Sequence, residues 1–296
     1  MSGSWIFLIG YCAVFLALLF GAAVWRKKQR KTRAPFPENA KLLRGPGETL
    51  RRKLADLDER VVYELLAAFA LPLAVGCALG WIAIHLSGEA LVAGLVIASL
   101  GLIASLAFVI RHLVRGIERW SNTWLGYIGE RVVAESLDEL KAQGFRIFHD
   151  VPAGEPKNPF NIDHVVVGPS GVFAIETKTR RKGRARAGFA EHQIIYDGQV
   201  LAYPWGEDRH GLDQAQRQAV WLQAWLEQLL GRTIRMQPVL TFPGWMVISR
   251  GPGAVAVLNP KQIPAAVALR GAPVLDEAAI DLVCRQLDAR CRDVEF

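Results

Sequence analysis

Residues 161–178 read Asn-Ile-Asp-His-Val-Val-Val-Gly-Pro-Ser-Gly-Val-Phe-Ala-Ile-Glu-Thr-Lys. Two runs rich in Val and Ile, 162–167 and 172–179, flank a Gly-Pro-Ser-Gly turn. Branched side chains favour the pleated backbone, and Gly with Pro marks the reversal, so the stretch predicts two strands and a tight connection. Neither run alternates cleanly between apolar and polar, which implies strands covered on both faces. Into this apolar setting fall Asp163, Glu176 and Lys178. A buried charge is costly unless it is paired or bound to a metal. Glu176 and Lys178 are two apart and share one face of their strand.

The placement of Asp163 depends on the turn. A two-residue loop at Pro169-Ser170 pairs 168 with 171 and sets Asp163 opposite Glu176. Two carboxylates ~5 Å apart then repel unless a cation lies between them. Proline cannot adopt the positive φ of the favoured two-residue hairpin turns. A three-residue loop with Gly171 as a bulge shifts the register by one and sends Asp163 to the other face. Both registers remain open at this level.

Outward from the hairpin, short alternating elements run from about Trp120 to the C-terminus. Gly129-Glu130 opens a helical run, 131–143, with Val132, Val133, Leu137 and Leu140 on one face and Gly144 as its stop. Residues 146–151 predict a strand, and 152–159, with Pro152, Gly154 and Pro159, a loop. After the hairpin comes a basic segment, Arg180 to Gly188, then weak strands within 190–203. A helix is expected over 212–230, ended by Gly231, strands over 235–241, 245–249 and 255–258, and terminal helices over 264–269 and 276–291. Helix, strands, helix, strands is the order of an α/β sandwich with a mixed central sheet.

The chain has 296 residues, 51% of them hydrophobic, with a formal net charge of +7. That is apolar for a soluble protein and charged for a pure membrane bundle, so one part of each kind is expected. Trp5–Trp25, Leu65–Leu86 and Ala90–Ile110 contain no Asp, Glu, Lys or Arg. Each is about 20 residues long, enough to cross ~30 Å of hydrocarbon as a helix. Trp5, Trp25 and Trp81 lie near the run ends, where interfacial aromatics belong. The first run has no basic segment ahead of it, which argues against a cleaved signal. Arg26, Lys27, Lys28, Arg30, Lys31 and Arg33 follow the first run, and Arg111, Arg115 and Arg119 follow the third. The second and third are joined only by Ser87-Gly88-Glu89. Positive charge stays inside, so three transmembrane helices are expected: the first at 1–25, a basic cytosolic linker at 26–60, a hairpin at 61–111 and a cytosolic domain at 120–296. The expectation is a multi-pass protein of the cell (inner) membrane with its N-terminus outside. Pro72 should kink the second helix, and Gly76 with Gly80 forms a GxxxG that could bring the last two together. No charge lies deep in any span, so nothing points to an ion or proton pathway and the helices read as anchors. Arg51-Arg52-Lys53 suits anionic lipid.

The Ile162-Asp163-His164 run, the Gly-Pro-Ser-Gly-Val-Phe turn, the Ile175-Glu176-Thr177-Lys178 run, Gly129-Glu130, Gln214 and Phe242-Pro243-Gly244-Trp245 together resemble the nuclease-related domain, a branch of the PD-(D/E)XK nuclease fold. The resemblance covers about residues 120–265. It implies a restriction-endonuclease-like α/β domain in which Asp163 and Glu176, with Glu130, hold Mg²⁺ or Mn²⁺. Lys178 would orient or deprotonate the attacking water, and Gln214 would orient the substrate or the lysine. On chemistry alone the three charges could equally form a buried ion-pair network. Arg180, Arg181, Lys182, Arg184 and Arg186 are either a solvated loop or a phosphate-binding strip beside the site. His164 is either a packed strand residue or a partner of Asp163. His149, His192 and His210 have no metal-ligand spacing, and Trp221 with Trp225 reads as core. Among the four cysteines no CxxC occurs, and Cys284 and Cys291, two helical turns apart, are too distant to bridge.

Three functions follow as expectations. The first is a membrane-anchored, metal-dependent nuclease acting on DNA or RNA at the cytosolic face. The second is a non-catalytic nucleic-acid-binding or signalling module tethered to the bilayer. The third is a membrane-assembly protein with a degenerate domain.

Overall fold

A computed structural model describes residues 40–83, 85–268 and 273–295, with scattered helical positions between 14 and 25. Met1–Leu42 with Glu295–Phe296 form one unit and Leu43–Val294 a second. The first apolar run and the basic run after it lie for the most part outside the described residues. Among the described residues two helices, not three, are long and apolar enough to cross a membrane.

Those helices are α1, Glu48–Ala83, and α2, Gly88–Leu137. Their apolar stretches are almost wholly exposed, unlike the core helices of a soluble protein. Helix α1 starts well inside the expected linker, because Leu50, Leu54, Leu57 and Val61 recur at helical spacing beneath the charges. Arg51 and Arg52 fold back onto Glu48, at 2.7 and 2.8 Å. Helix α2 runs through Trp120 without a break, so the change of texture there marks no boundary in the backbone. Pro72 lies inside α1, which continues past it. The close helix approaches are not at the GxxxG. A Cβ at Gly76 would meet Leu102 at an ordinary 3.5 Å and one at Gly80 would meet nothing. At Gly101 it would press within 2.6 Å of Leu79, and at Gly94 within 2.7 Å of Leu86. Nearer the α/β body, His112 lies 3.4 Å from Glu64, and the Trp120 indole donates to Asp58 at 2.9 Å.

The chain then builds β1 (Arg146–Glu155), β2 (Asn158–Gly168) and β3 (Gly171–Thr177) as an antiparallel meander. The expected loop at 152–159 is instead two strand ends closed by a tight turn, with Gly154 at φ 79°. Three short strands follow, β4 (Gln193–Tyr196), β5 (Leu201–Tyr203) and β6 (Gly206–Asp208), then helix α3 (His210–Leu230). Next come β7 (Met236–Thr241), β8 (Met246–Ser249), β9 (Ala256–Leu258), helix α4 (Ile263–Val267) and helix α5 (Glu277–Cys291). The main sheet has the order β9-β7-β3-β2-β1, parallel from β3 to β9 and antiparallel from β3 to β1. The fold is therefore α/β with a mixed sheet. A second sheet runs β6-β5-β4-β8.

Strand alternation distributes the core. Val165, Val167, Val172 and Ala174 pack with Leu222 and Leu226 of α3 and Val283 and Leu287 of α5. Val166, Ile175 and Val239 face the other way, against Val133 and Leu137 of α2 and Ile263 and Val267 of α4. The sheet is thus covered on both sides, and Glu176 shares the parity of Ala174, toward α3.

Candidate functional site

The turn resolves the register. Gly168 pairs with Gly171 and His164 with Ile175, so the two-residue loop is the one adopted. Among the described residues neither Pro169 nor Ser170 has positive φ, and the unusual backbone falls on Gly171 at φ 126°. Asp163 stands next in register, opposite Glu176, and the two share the α3 face. Asp163 Oδ2 accepts the Thr177 backbone N–H at 2.7 Å. Lys178 Nζ donates to Glu176 Oε1 at 2.6 Å and to Gln214 Oε1 at 2.8 Å. Gly211 opens α3 against this lysine, where a Cβ would lie 3.0 Å from Leu240 and 3.6 Å from Lys178 Cγ.

Glu130 arrives from α2. A Cβ at Gly129 would collide with the Thr179 methyl, so glycine lets the helix approach the end of β3. Glu130 is buried and its Oε2 has no hydrogen-bond partner. Burial first, then the charges of Asp150 and Glu176, push its carboxyl up to about 8. Asp163 is also held well above the carboxylate range, chiefly by burial and then by Glu176 and Glu130. As a residue Asp163 is half-buried. Three carboxylates sense one another here, and one ammonium, Lys178, opposes them.

Two features escaped the sequence reading. The first is Gln218, one helical turn beyond Gln214. Its buried Nε2 donates to Glu176 Oε2 at 2.6 Å and to the Asn161 carbonyl at 3.2 Å. The i, i+4 spacing was the available signal. The second is Asp150, buried, and the one non-glycine residue with positive φ, 48°, among the described residues. Arg44 Nη1 reaches its carboxylate at 3.0 Å, and Thr49 donates both N–H and hydroxyl at 2.7 Å. No local pattern announces a contact between residues so distant in sequence.

The basic segment has no helix or strand and is tied down along its length. Arg180 meets Asp208 at 3.3 Å and lies over the Tyr203 ring. Arg181 donates to Ser121 Oγ at 2.7 Å, Lys182 lies over Trp245, and Arg186 meets Glu207 at 3.1 Å. Arg184 is exposed. The Trp245 indole donates to the Arg180 carbonyl at 3.1 Å, which anchors the root of the segment beside Lys178.

His164 is fully buried with its Nδ1 2.8 Å from that of His149. Burial holds both imidazoles neutral, His149 at about 4 and His164 well below its ordinary value. Trp221 and Trp225 stack at 5.9 Å beneath the Arg290 guanidinium and beside the α3–α5 core. Cys284 and Cys291 are buried free thiols.

Among the described residues no three Asp, Glu, His or Cys side chains converge closely enough to form a ready-made metal cage. The acidic oxygens that do gather, on Asp163, Glu176 and Glu130, are hard donors. Their mutual repulsion and the orphaned Glu130 Oε2 fit a cation that keeps most of its water and phosphate ligands.

Residues 125–243 match the nuclease-related domain family. A stretch of 56 residues is 36% identical to an uncharacterized protein of Bacillus anthracis, covering 19% of this chain. The chain spans 26% of that relative's length. No solved structure matches the chain.

Proposed function

We propose that this chain is a metal-dependent nuclease of restriction-endonuclease-like fold, held at a membrane by its helical hairpin and hydrolysing phosphodiester bonds of DNA or RNA on the cytosolic side. One observation carries the reading. Asp163 stands opposite Glu176 in the β2–β3 register, Lys178 bonds Glu176, and the buried Glu130 keeps an unpartnered oxygen. The match of residues 125–243 to a nuclease-related family supports it. The exposed apolar helices support the anchoring, and the arginines after α2's apolar stretch support the inward orientation.

Asp163, Glu176 and Glu130 would hold Mg²⁺ or Mn²⁺. Bound there, such an ion polarises the phosphate and acidifies a water. The residues themselves do the rest. Lys178, an ammonium fixed by Gln214 and Glu176, sets a positive charge beside the phosphate as negative charge develops and orients the attacking water, whose proton passes to solvent. Gln218 locks Glu176 Oε2, so that carboxylate changes partners only through Oε1. A bond forms from water oxygen to phosphorus, the phosphorus–oxygen bond to the leaving nucleotide breaks, and the leaving oxygen gains a proton. The basic segment beside Lys178 draws the polyanion in.

One observation favours the competing reading, nucleic-acid binding without cleavage. Both Glu176 oxygens already have donors, which is how a resting ion-pair network looks. The full chain in detergent micelles decides between them. With Mg²⁺ or Mn²⁺ it degrades plasmid or RNA, and Glu176→Ala abolishes this. Retention of nucleic acid with no cleavage by the wild type selects the binding module.

A further inference from the structure

The turn that opens α1, Arg44 to Thr49, lies outside the family match, yet it touches both arms of the acidic site. On one arm, the Gly47 backbone N–H supports the Glu130 carboxylate. Gly47 has φ 70°, and a Cβ there would press within 2.7 Å of the Tyr127 ring on α2. Only glycine lets this turn lie against the helix that carries Glu130. On the other arm, Thr49 N–H, Thr49 Oγ1 and Arg44 converge on Asp150 Oδ2. Arg44 is itself braced by Asp293 at 2.6 Å and by its N–H to the Cys291 carbonyl at 3.0 Å.

Asp150 is no bystander. Its neighbours His149 and Val151 pair with His164 and Ile162, so it stands opposite Asp163 across β1 and β2. A regular strand there would set two aspartate side chains close together. Instead Asp150 adopts the left-handed backbone that residues with a side chain rarely take. Its carboxylate is turned to four donors, the last being Asn161 Nδ2 at 2.8 Å. The Asn161 carbonyl accepts Gln218 Nε2, which also grips Glu176. A continuous chain of contacts therefore runs from the first turn of α1 through Asp150, Asn161 and Gln218 to Glu176.

We infer that Arg44, Thr49 and Asp150 are positioning residues of the carboxylate site, so that the opening turn of the membrane hairpin is a wall of that site. They act through Asn161 and Gln218 on Glu176, and through Gly47 on Glu130. The inference rests on the proposed metal-dependent reading and extends the site beyond the family domain.

The test uses the full chain in micelles with Mn²⁺ as probe, and it does not depend on cleavage. Mn²⁺ affinity is measured by calorimetric titration for wild type, Thr49→Ala, Thr49→Ser and Arg44→Gln. Thr49→Ala and Arg44→Gln should weaken Mn²⁺ at least tenfold with α1–α2 helicity unchanged, and Thr49→Ser should restore it. Amide exchange at Thr177, whose N–H is held by Asp163, should quicken at least tenfold in the same two variants. Affinity within twofold of wild type and unaltered Thr177 exchange in Thr49→Ala overturn the inference. Should Arg44→Gln fail to fold, the single hydroxyl removed in Thr49→Ala decides. Should the wild type bind no Mn²⁺, the metal-dependent reading falls, and Thr177 exchange alone judges the wall.

Discussion

Gln218 on α3 and Glu176 on β3 are joined by a buried 2.6 Å hydrogen bond, and the same Gln218 nitrogen also reaches the backbone of β2. One side chain thus ties a helix to two strands at the point where an acidic oxygen must be aimed. Gln218→Ala should lower hydrolysis by roughly 10–100-fold, the usual effect of removing an outer partner of a ligand. The fold should lose only about 1–2 kcal/mol. Cleavage assays beside thermal melts check this, and an unchanged rate denies Gln218 its part.

Glu130 should behave in the opposite sense for stability. Its folded-state carboxyl titrates at about 8 against an ordinary 4.5. The fold binds that proton more tightly than the unfolded chain, so this contribution is complete below 4.5 and is lost as pH rises through about 8. Glu130→Gln, which cannot ionise, should therefore raise stability most above pH 8, by about 1–3 kcal/mol. It should also abolish metal-dependent cleavage. A melt at pH 8.5 showing Glu130→Gln less stable than wild type counts against a strained carboxyl.

The His149–His164 pair sets an acid limit. His149 titrates at about 4 when folded, below its ordinary 6.5, so the unfolded chain binds the proton first. Stability from the neutral ring is complete above 6.5 and is lost as pH falls toward 4. Melting temperature plotted against pH should rise more steeply in this window for wild type than for His149→Phe. Parallel curves reject the assignment.

Arg184 is exposed, as are Arg181, Lys182 and Arg186, but those cations and Arg180 each have a partner within the protein. Arg184→Ala should reduce the slope of log affinity against log salt by about 1, with DNA and RNA affected alike. Binding titrations at several salt concentrations measure it.

The site residues differ in how far sequence reveals them. Glu176 lies in β3 and Lys178 just past its end, and an ionic pair in an apolar run advertises itself. Gln214 is legible only through the resemblance, and Gln218, a turn away on the same face, carries no signal beyond its i, i+4 spacing. The register was ambiguous because Pro169 disfavours the usual two-residue turns, and the chain shifts the demand to Gly171. The start of α1 was obscured by Arg51, Arg52 and Lys53, whose charges mask the Leu50–Leu54–Leu57 stripe. Asp150 is not legible in sequence, since its partner Arg44 lies 106 residues away and that arginine's brace, Asp293, lies 249 residues from Arg44. Sequence patterns report neighbours along a helix or strand, whereas such contacts exist only once the whole body has closed.

Helix α2 is one unbroken rod from Gly88 to Leu137. Were the proposed anchoring to end the bilayer near Ile110, the twenty residues on to Glu130 would set a standoff of roughly 30 Å at 1.5 Å per residue. That gap exceeds the width of a duplex. An enzyme so mounted would patrol a thin layer beneath the lipid, meeting only polymers that enter or leave through it, and shortening or lengthening the rod by whole turns would raise or lower that layer.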